Sequence, residues 1–248
     1  MPPDHPSARI CLNHIDVRRG AEIVLRDVAV DLKGRGLTAL MGVSGIGKST
    51  LLGVIAGLVK PTAGTRQVDG KVAMIFQDPR LLPWQSALDN AGFGLRAAGF
   101  SKDEARDKTR LLLERFGLRP ADHGKRPSAL SGGMRQRVAI ARALAIDPGV
   151  LLMDEPFTGL DVSLRADLRQ LARAIVEERN LTAILVTHDP VEAVMLCDRV
   201  MLLAGQPAYI AADVAISPRS GTMVEAYRAA SALMRRLEVE SGSIVRLA

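Results

Sequence analysis

Nine consecutive residues, Gly42, Val43, Ser44, Gly45, Ile46, Gly47, Lys48, Ser49 and Thr50, restrict what this chain can fold into more than any other feature. They follow the short apolar run Gly36-Leu-Thr-Ala-Leu-Met41, which reads as a strand buried on both faces. They precede Leu51, Leu52, Ile55 and Leu58, whose spacing predicts a helix over residues 49–58, stopped by Pro61. Strand, glycine-rich turn and helix form the setting in which the pattern G-x-x-x-x-G-K-[S/T] cradles phosphate. Gly42, Gly45 and Gly47 let successive N–H groups turn inward on a polyanion, and the helix N-terminus adds its dipole. Lys48 is then placed to reach the β and γ phosphates of a nucleotide. Ser49 offers a hydroxyl to Mg²⁺, a small cation that takes hard oxygen ligands.

The remaining pattern extends that nucleus into an α/β chain. Apolar and polar residues alternate from 10 to 32 with a break at Gly20, which predicts antiparallel strands about a turn. Apolar runs at residues 72–76, 150–153, 182–187 and 199–203 predict further buried strands. Leu164, Leu168, Leu171 and Ile175 keep the spacing of an amphipathic helix. From Gln77 to about residue 130 the strands give way to charged helical pattern, and Ser101 with Glu104 predicts a capping box opening a helix over 101–116. One more helix is expected near 223–237. Alternating strand and helix predict a wound, mostly parallel sheet, with an N-terminal antiparallel β subdomain and a helical insertion.

Composition removes several other classes. With 22 Gly and 13 Pro in 248 residues and 48% apolar residues, the chain is neither low-complexity nor coiled coil. Cys11 and Cys197 lie far apart in sequence, which supports neither a disulfide framework nor a zinc cluster and fits a reducing cytoplasm. No apolar run approaches the roughly 18 residues of a membrane span, and residues 1–9 contain no apolar core of a secretion signal. The net charge of +6 is compatible with polyphosphate, an anionic surface or nucleic acid. Its basic residues are scattered, and no aromatic precedes Phe76, so the aromatic and basic stripe of a nucleic-acid binder is missing.

Val150-Leu-Leu-Met-Asp154-Glu155-Pro156 ends a buried strand in two adjacent carboxylates, where wound sheets bind their ligands. Asp154 suits a Mg²⁺ held in part through water, and Glu155 suits a general base acting on water. The bland alternative, an acid pair opening a surface loop, loses ground once a phosphate loop stands in the same chain. Leu130-Ser131-Gly132-Gly133-Met134-Arg-Gln-Arg137 places a serine N-cap before Val138, Ile140, Ala141 and Leu144 at helical spacing.

That string resembles the signature of the ATP-binding cassette (ABC) ATPases, and the resemblance spans roughly residues 9–205. It implies a P-loop NTPase wound sheet over residues 1–205, with a helical subdomain at about 78–135 and a C-terminal extension at 206–248. It implies ATP and Mg²⁺ as cofactors and a second nucleotide-binding subunit, expected as a homodimer. In such a pair Ser131, Gly132 and Gly133 grip the γ-phosphate held by the other subunit's loop. Gln77 is similar to the Q-loop glutamine, which reaches Mg²⁺ and the attacking water. Asp161, in Thr158-Gly-Leu-Asp161, is similar to the D-loop lining the dimer seam. His188 is similar to the switch histidine on the γ-phosphate. Each alone is a strand-end glutamine, a turn aspartate or a polar histidine. Five landmarks in order constitute the family pattern.

The chain departs from the family at one place: the aromatic ring that often stacks on adenine is replaced by Arg19, before Gly20. A planar guanidinium also stacks on a base, so Arg19 is expected to substitute, with Arg18 or His14 in reserve. The segment Phe76-Gln-Asp-Pro-Arg-Leu-Leu-Pro-Trp84 and the tail after Gly205 resemble importers of nitrate, sulfonates and taurine, a look that thiamine-precursor importers share. The resemblance implies two membrane permeases docking near residues 77–84, a periplasmic solute-binding protein, no nucleic acid, and a peripheral place on the cytoplasmic face of a bacterial inner membrane. The rival classes are a non-transport cassette protein acting on nucleic acid or ribosomes, and a binding module without catalysis. Arg19→Ala is expected to weaken ATP binding about tenfold, the worth of one stacking contact. An unchanged dissociation constant by calorimetric titration would remove Arg19 from the base site.

Overall fold

A computed structural model describes residues 8–216 and 223–241. Along the chain run β1 (Arg9–Arg19), β2 (Glu22–Lys33), β3 (Gly36–Met41), α1 (Lys48–Ala56), β4 (Ala63–Val68) and β5 (Val72–Ile75). Then come α2 (Ala87–Ala91), α3 (Phe93–Ala97), α4 (Lys102–Arg115), α5 (Gly132–Ala145), β6 (Val150–Asp154) and α6 (Val162–Glu178). The described chain closes with β7 (Thr182–Val186), α7 (Pro190–Leu196), β8 (Arg199–Ala204), β9 (Tyr209–Ala215) and α8 (Met223–Ser241). Two compact units result, Met1–Gly70 with Arg173–Ala248, and Lys71–Ala172.

In the first unit β3 lies between β7 and β8, parallel to both, in the register Leu40 to Val186 and Leu40 to Met201. These strands are buried on both faces, which is why their sequences read as continuous apolar runs. An antiparallel sheet in the order β2, β1, β4 belongs to the same unit. Arg26 N donates to Ala208 O (2.9 Å) and Ala208 N to Val24 O (3.0 Å), which ties β2 to the segment before β9. The Thr182 hydroxyl bonds the carbonyls of Ala8 (2.6 Å) and Gly34 (2.8 Å).

Two strands escaped the sequence reading. β4, Ala-Gly-Thr-Arg-Gln-Val, carries no apolar alternation, and it is a strand because its main chain pairs with β1 from Ile10–Val68 to Asp16–Ala63. β9 lies in the segment that sequence assigned to the C-terminal extension, and it runs antiparallel to β8 at the sheet edge. The helix after the glycine loop ends two residues sooner than its apolar spacing predicts, because Gly57 adopts a left-handed C-cap (φ 76°). α7, absent from the sequence reading, is set by the Asp189 cap and by Pro190 at its first turn.

In the second unit β5 and β6 pair in parallel, Ile75 opposite Met153. The predicted capping box at α4 is present, with Ser101 N donating to Glu104 Oε2 (2.8 Å) and Glu104 N to Ser101 Oγ (3.3 Å). α2 packs on α4 and α5, and Asn90 is its buried polar pin. The Asn90 amide donates to the carbonyls of Leu82, Gln85 and Ser86, and its oxygen accepts from Leu82 N (2.7 Å). Leu40, at the centre of β3, has no exposed surface. Leu40→Ala is therefore expected to destabilise the protein by about 2–5 kcal/mol, read as a lowered urea midpoint with an unchanged m-value.

Candidate nucleotide site

The phosphate loop begins where β3 ends. Gly42 has φ 152°, and a β-carbon there would stand 2.6 Å from the carbonyl oxygen of Leu203 on neighbouring β8, so only glycine fits. Gly47 has φ 116° at the start of α1, where a β-carbon would meet Leu25 at 3.0 Å. Lys48 is 6% exposed, and its ammonium donates to the carbonyls of Gly42 (2.8 Å) and Val43 (2.9 Å), which closes the loop on itself. Ile46 and Thr50 are buried while Val43, Ser44, Gly45 and Ser49 face out. α1 has no side-chain cap, unlike α2, α4, α5 and α7, which Ser86, Ser101, Ser131 and Asp189 cap. A helix start without a side-chain cap, at a glycine loop holding a buried cation, is chemically suited to an anion.

His188 belongs to the same edge of the same unit. β7 runs beside β3, and Thr187 N donates to Leu40 O (3.3 Å), so His188 emerges next to the strand that launches the loop. It is exposed, between Thr187 and Asp189, and Asp189 N donates to the Thr187 hydroxyl (3.1 Å). A cleft of about 360 Å³ opens beside the loop, lined by Ile23, Val24, Gly45, Ile46, Gln206 and Pro207 among others. Its walls mix aliphatic side chains with the polar Glu22 and Gln206. Arg19 is exposed and lies opposite Glu22 in the β1–β2 ladder; Glu22 lines the cleft and Arg19 does not. His14 is engaged with Asp27 at 2.5 Å.

The second unit carries the other candidates. Because β5 and β6 are parallel and in register, Gln77 and the pair Asp154 and Glu155 leave the same sheet edge. Among the described residues, six other than glycine have positive φ, and four of them are Asp, Asn or His, which tolerate it. The other two are Glu155 (φ 47°), directly after β6, and Arg80 (φ 47°), five residues after β5. Such a conformation costs about 1–3 kcal/mol and persists where the surroundings impose it. The Thr158 hydroxyl donates to Glu155 Oε2 (3.4 Å), and Thr158 N to Glu155 O (3.3 Å). Asp161 opens α6 by accepting from Leu164 N (2.9 Å) and the Ser163 hydroxyl (2.8 Å). The Leu164 N–H, followed by that hydroxyl, holds its carboxyl below the usual carboxylate range.

Ser131 caps α5 as its sequence predicts, accepting from Met134 N (3.2 Å). Its O–H proton remains to donate. Gly132 is exposed; Gly133 is buried, and a β-carbon there would lie 2.0 Å from Leu164 Cδ2. Sequence reasoning missed Leu164, which reads only as one more apolar residue of an amphipathic helix. It also missed Arg142, on α5, whose guanidinium bonds the carbonyls of Pro79 (2.6 Å) and Arg80 (2.9 Å). Burial draws the Arg142 pKa down.

For a divalent cation the candidate donors are the Ser49 hydroxyl, the Gln77 amide oxygen and the Asp154 carboxylate, an all-oxygen set that suits Mg²⁺. Among the described residues no cluster of three or more His, Cys, Asp or Glu could hold a metal.

Residues 25–158 match the family described as ABC transporter. The chain is 45% identical over 184 residues to the aliphatic sulfonates import ATP-binding protein SsuB of Corynebacterium glutamicum, covering 74% of this chain and 75% of that one. It is 42% identical over 198 residues to the taurine import ATP-binding protein TauB of Pseudomonas fluorescens, covering 77% and 75%. It is 41% identical over 206 residues to the nitrate import ATP-binding protein NrtD of Synechococcus elongatus, covering 79% and 75%. Among solved structures, a dimeric ATP-binding cassette in a post-hydrolysis state with ADP and Pi superposes with a TM-score of 0.76 at 30% identity, over 84% of this chain and 99% of that one.

Overpacking at the α5 start yields a stability test. Gly133→Ala is expected to cost about 1–3 kcal/mol, and adding Leu164→Ala to recover part of it in denaturant melts. Additive losses would show that Leu164 does not occupy that space.

Proposed function

The chain belongs to the ABC transporter family, and we propose, from the groups it carries, how it hydrolyses ATP for a small-solute importer. It is the ATP-hydrolysing subunit of such an importer, working as a dimer with membrane permeases. The cargo is a nitrate, sulfonate, taurine or similar small solute, since relatives named for all three align over about three quarters of the chain. One observation carries the chemical reading: a loop closed by its own buried lysine, launched from a strand whose neighbour is followed two residues on by His188.

Main-chain N–H groups of residues 42–50 bind the phosphates, and the Lys48 ammonium neutralises the β and γ oxygens. Ser49, Gln77 and Asp154 would hold Mg²⁺, which when bound would neutralise negative charge on the phosphates. Glu155 accepts the proton of the attacking water, and its imposed backbone geometry supports that role. Gln77 orients the water, and His188 hydrogen-bonds the γ-phosphate. Ser131, Gly132 and Gly133, with Asp161, complete the site of the partner subunit. The nucleoside occupies the cleft beside the loop, and Arg19, opposite Glu22 in the β1–β2 ladder, stacks on the base. Permeases dock near residues 77–84, which the 67% exposure of Trp84 supports. A periplasmic binding protein delivers the solute, and the subunit sits on the cytoplasmic face of the inner membrane. Among the described residues no helix is long and apolar enough to cross a membrane.

Glu155→Gln is expected to lower ATP turnover by about 10²–10⁴-fold, the worth of a general base. It should also accumulate an ATP-bound dimer by light scattering. Turnover equal to that of the unaltered protein, or a particle that stays single with excess nucleotide and magnesium, would refute the reading.

A further inference from the structure

The turn after β5 is held in an unfavourable shape by a residue far away in sequence. Arg80 sits at φ 47°, a conformation that residues other than Gly, Asn and Asp seldom adopt. Its guanidinium lies 4.1 Å from the centre of the Phe76 ring, and the Arg80 main-chain N–H donates to Asp78 Oδ1 (3.2 Å). Gln77, which is exposed, lies in the chain between Phe76 and Asp78. The turn does not hold itself by these contacts alone, because its two central carbonyls, Pro79 O and Arg80 O, are both taken by Arg142. A planar fork spanning two carbonyls fixes direction as well as distance, which a single ammonium cannot do.

Arg142 lies on α5, ten residues beyond Gly132, about 15 Å along the helix axis at 1.5 Å per residue. The helix whose first turn is capped by Ser131 therefore grips, near its other end, the turn that carries Gln77. Both ends belong to one rigid rod within one compact unit.

We propose that Arg142 is a positioning residue for ATP hydrolysis, clasping the turn at Pro79 and Arg80 so that Gln77 is held in one orientation relative to α5. This rests on the assignment of Gln77 given above. The protein's one tryptophan, Trp84, stands four residues beyond Arg80 and reports on the same segment without any nucleotide.

The test uses the full chain with Arg142→Gln and Arg142→Lys; the lysine variant keeps the charge and most of the apolar stem, which guards against loss of folding. Both are expected to lower kcat about tenfold or more with KM within about twofold, as a misplaced group acting only in the transition state does. Acrylamide quenching of Trp84 in the nucleotide-free protein should rise. In a Gln77→Ala background Arg142→Lys should add little further loss, because the two act as a unit. Unchanged kcat in Arg142→Lys, unchanged Trp84 quenching, or losses that multiply in the double variant would each overturn the clasp. Full kcat in Gln77→Ala alone would instead refute the assignment of Gln77, and Trp84 quenching would still decide whether Arg142 holds the turn.

Discussion

A buried ammonium must find oxygen, and Lys48 finds it in the loop that carries it. With the Gly42 and Val43 carbonyls as its partners, the cation shapes the loop from inside and stays at the surface of a potential anion cradle. Everything around it serves that placement. β3 is clamped between two parallel strands, so the loop leaves the sheet at a fixed point, and the close approach of Leu203 O leaves no room for a side chain at Gly42. α1 begins without a side-chain cap, so its dipole and first amides add to the same positive end.

The second unit uses a different device for the same purpose. Its β5 and β6 strands end together, and the turns beyond them each hold a residue in the left-handed region, Arg80 five residues after β5 and Glu155 directly after β6. Strain at those points is balanced by specific partners: Arg142 on one turn, Thr158 and the Asp161-capped start of α6 near the other. The glycine loop achieves its shape by removing side chains, whereas these turns achieve theirs by hydrogen bonds from elsewhere in the chain. A loop of the first kind is portable in sequence. A turn of the second kind exists only in its fold.

That difference decides what was legible. The buried strands were readable because a strand covered on both faces must be apolar throughout, as residues 36–41 and 182–186 are. The α4 and α5 caps were readable because a hydroxyl at the N-cap acts within three residues of itself. β4 was not, because its pairing with β1 asks nothing of its exposed polar side chains. β9 was not, because an edge strand beyond a Pro-containing turn lacks the continuous run that marked the others. At the site, Gly133 was read as a phosphate contact, and the space claimed by Leu164 thirty-one positions later left no local trace.

By itself the sequence determined which groups are present: a glycine-rich loop with Lys48, an acid pair at a strand end, a capped glycine helix start, and their order along the chain. Each depends on interactions between near neighbours, so residue type and spacing suffice to specify it. The tertiary structure alone decided which distant residues hold those groups in place, among them Arg142 on the turn after Gln77 and Leu164 against Gly133. Such contacts form only after the chain has paid the loop-closure entropy that brings remote segments together, and no short-range pattern encodes that meeting.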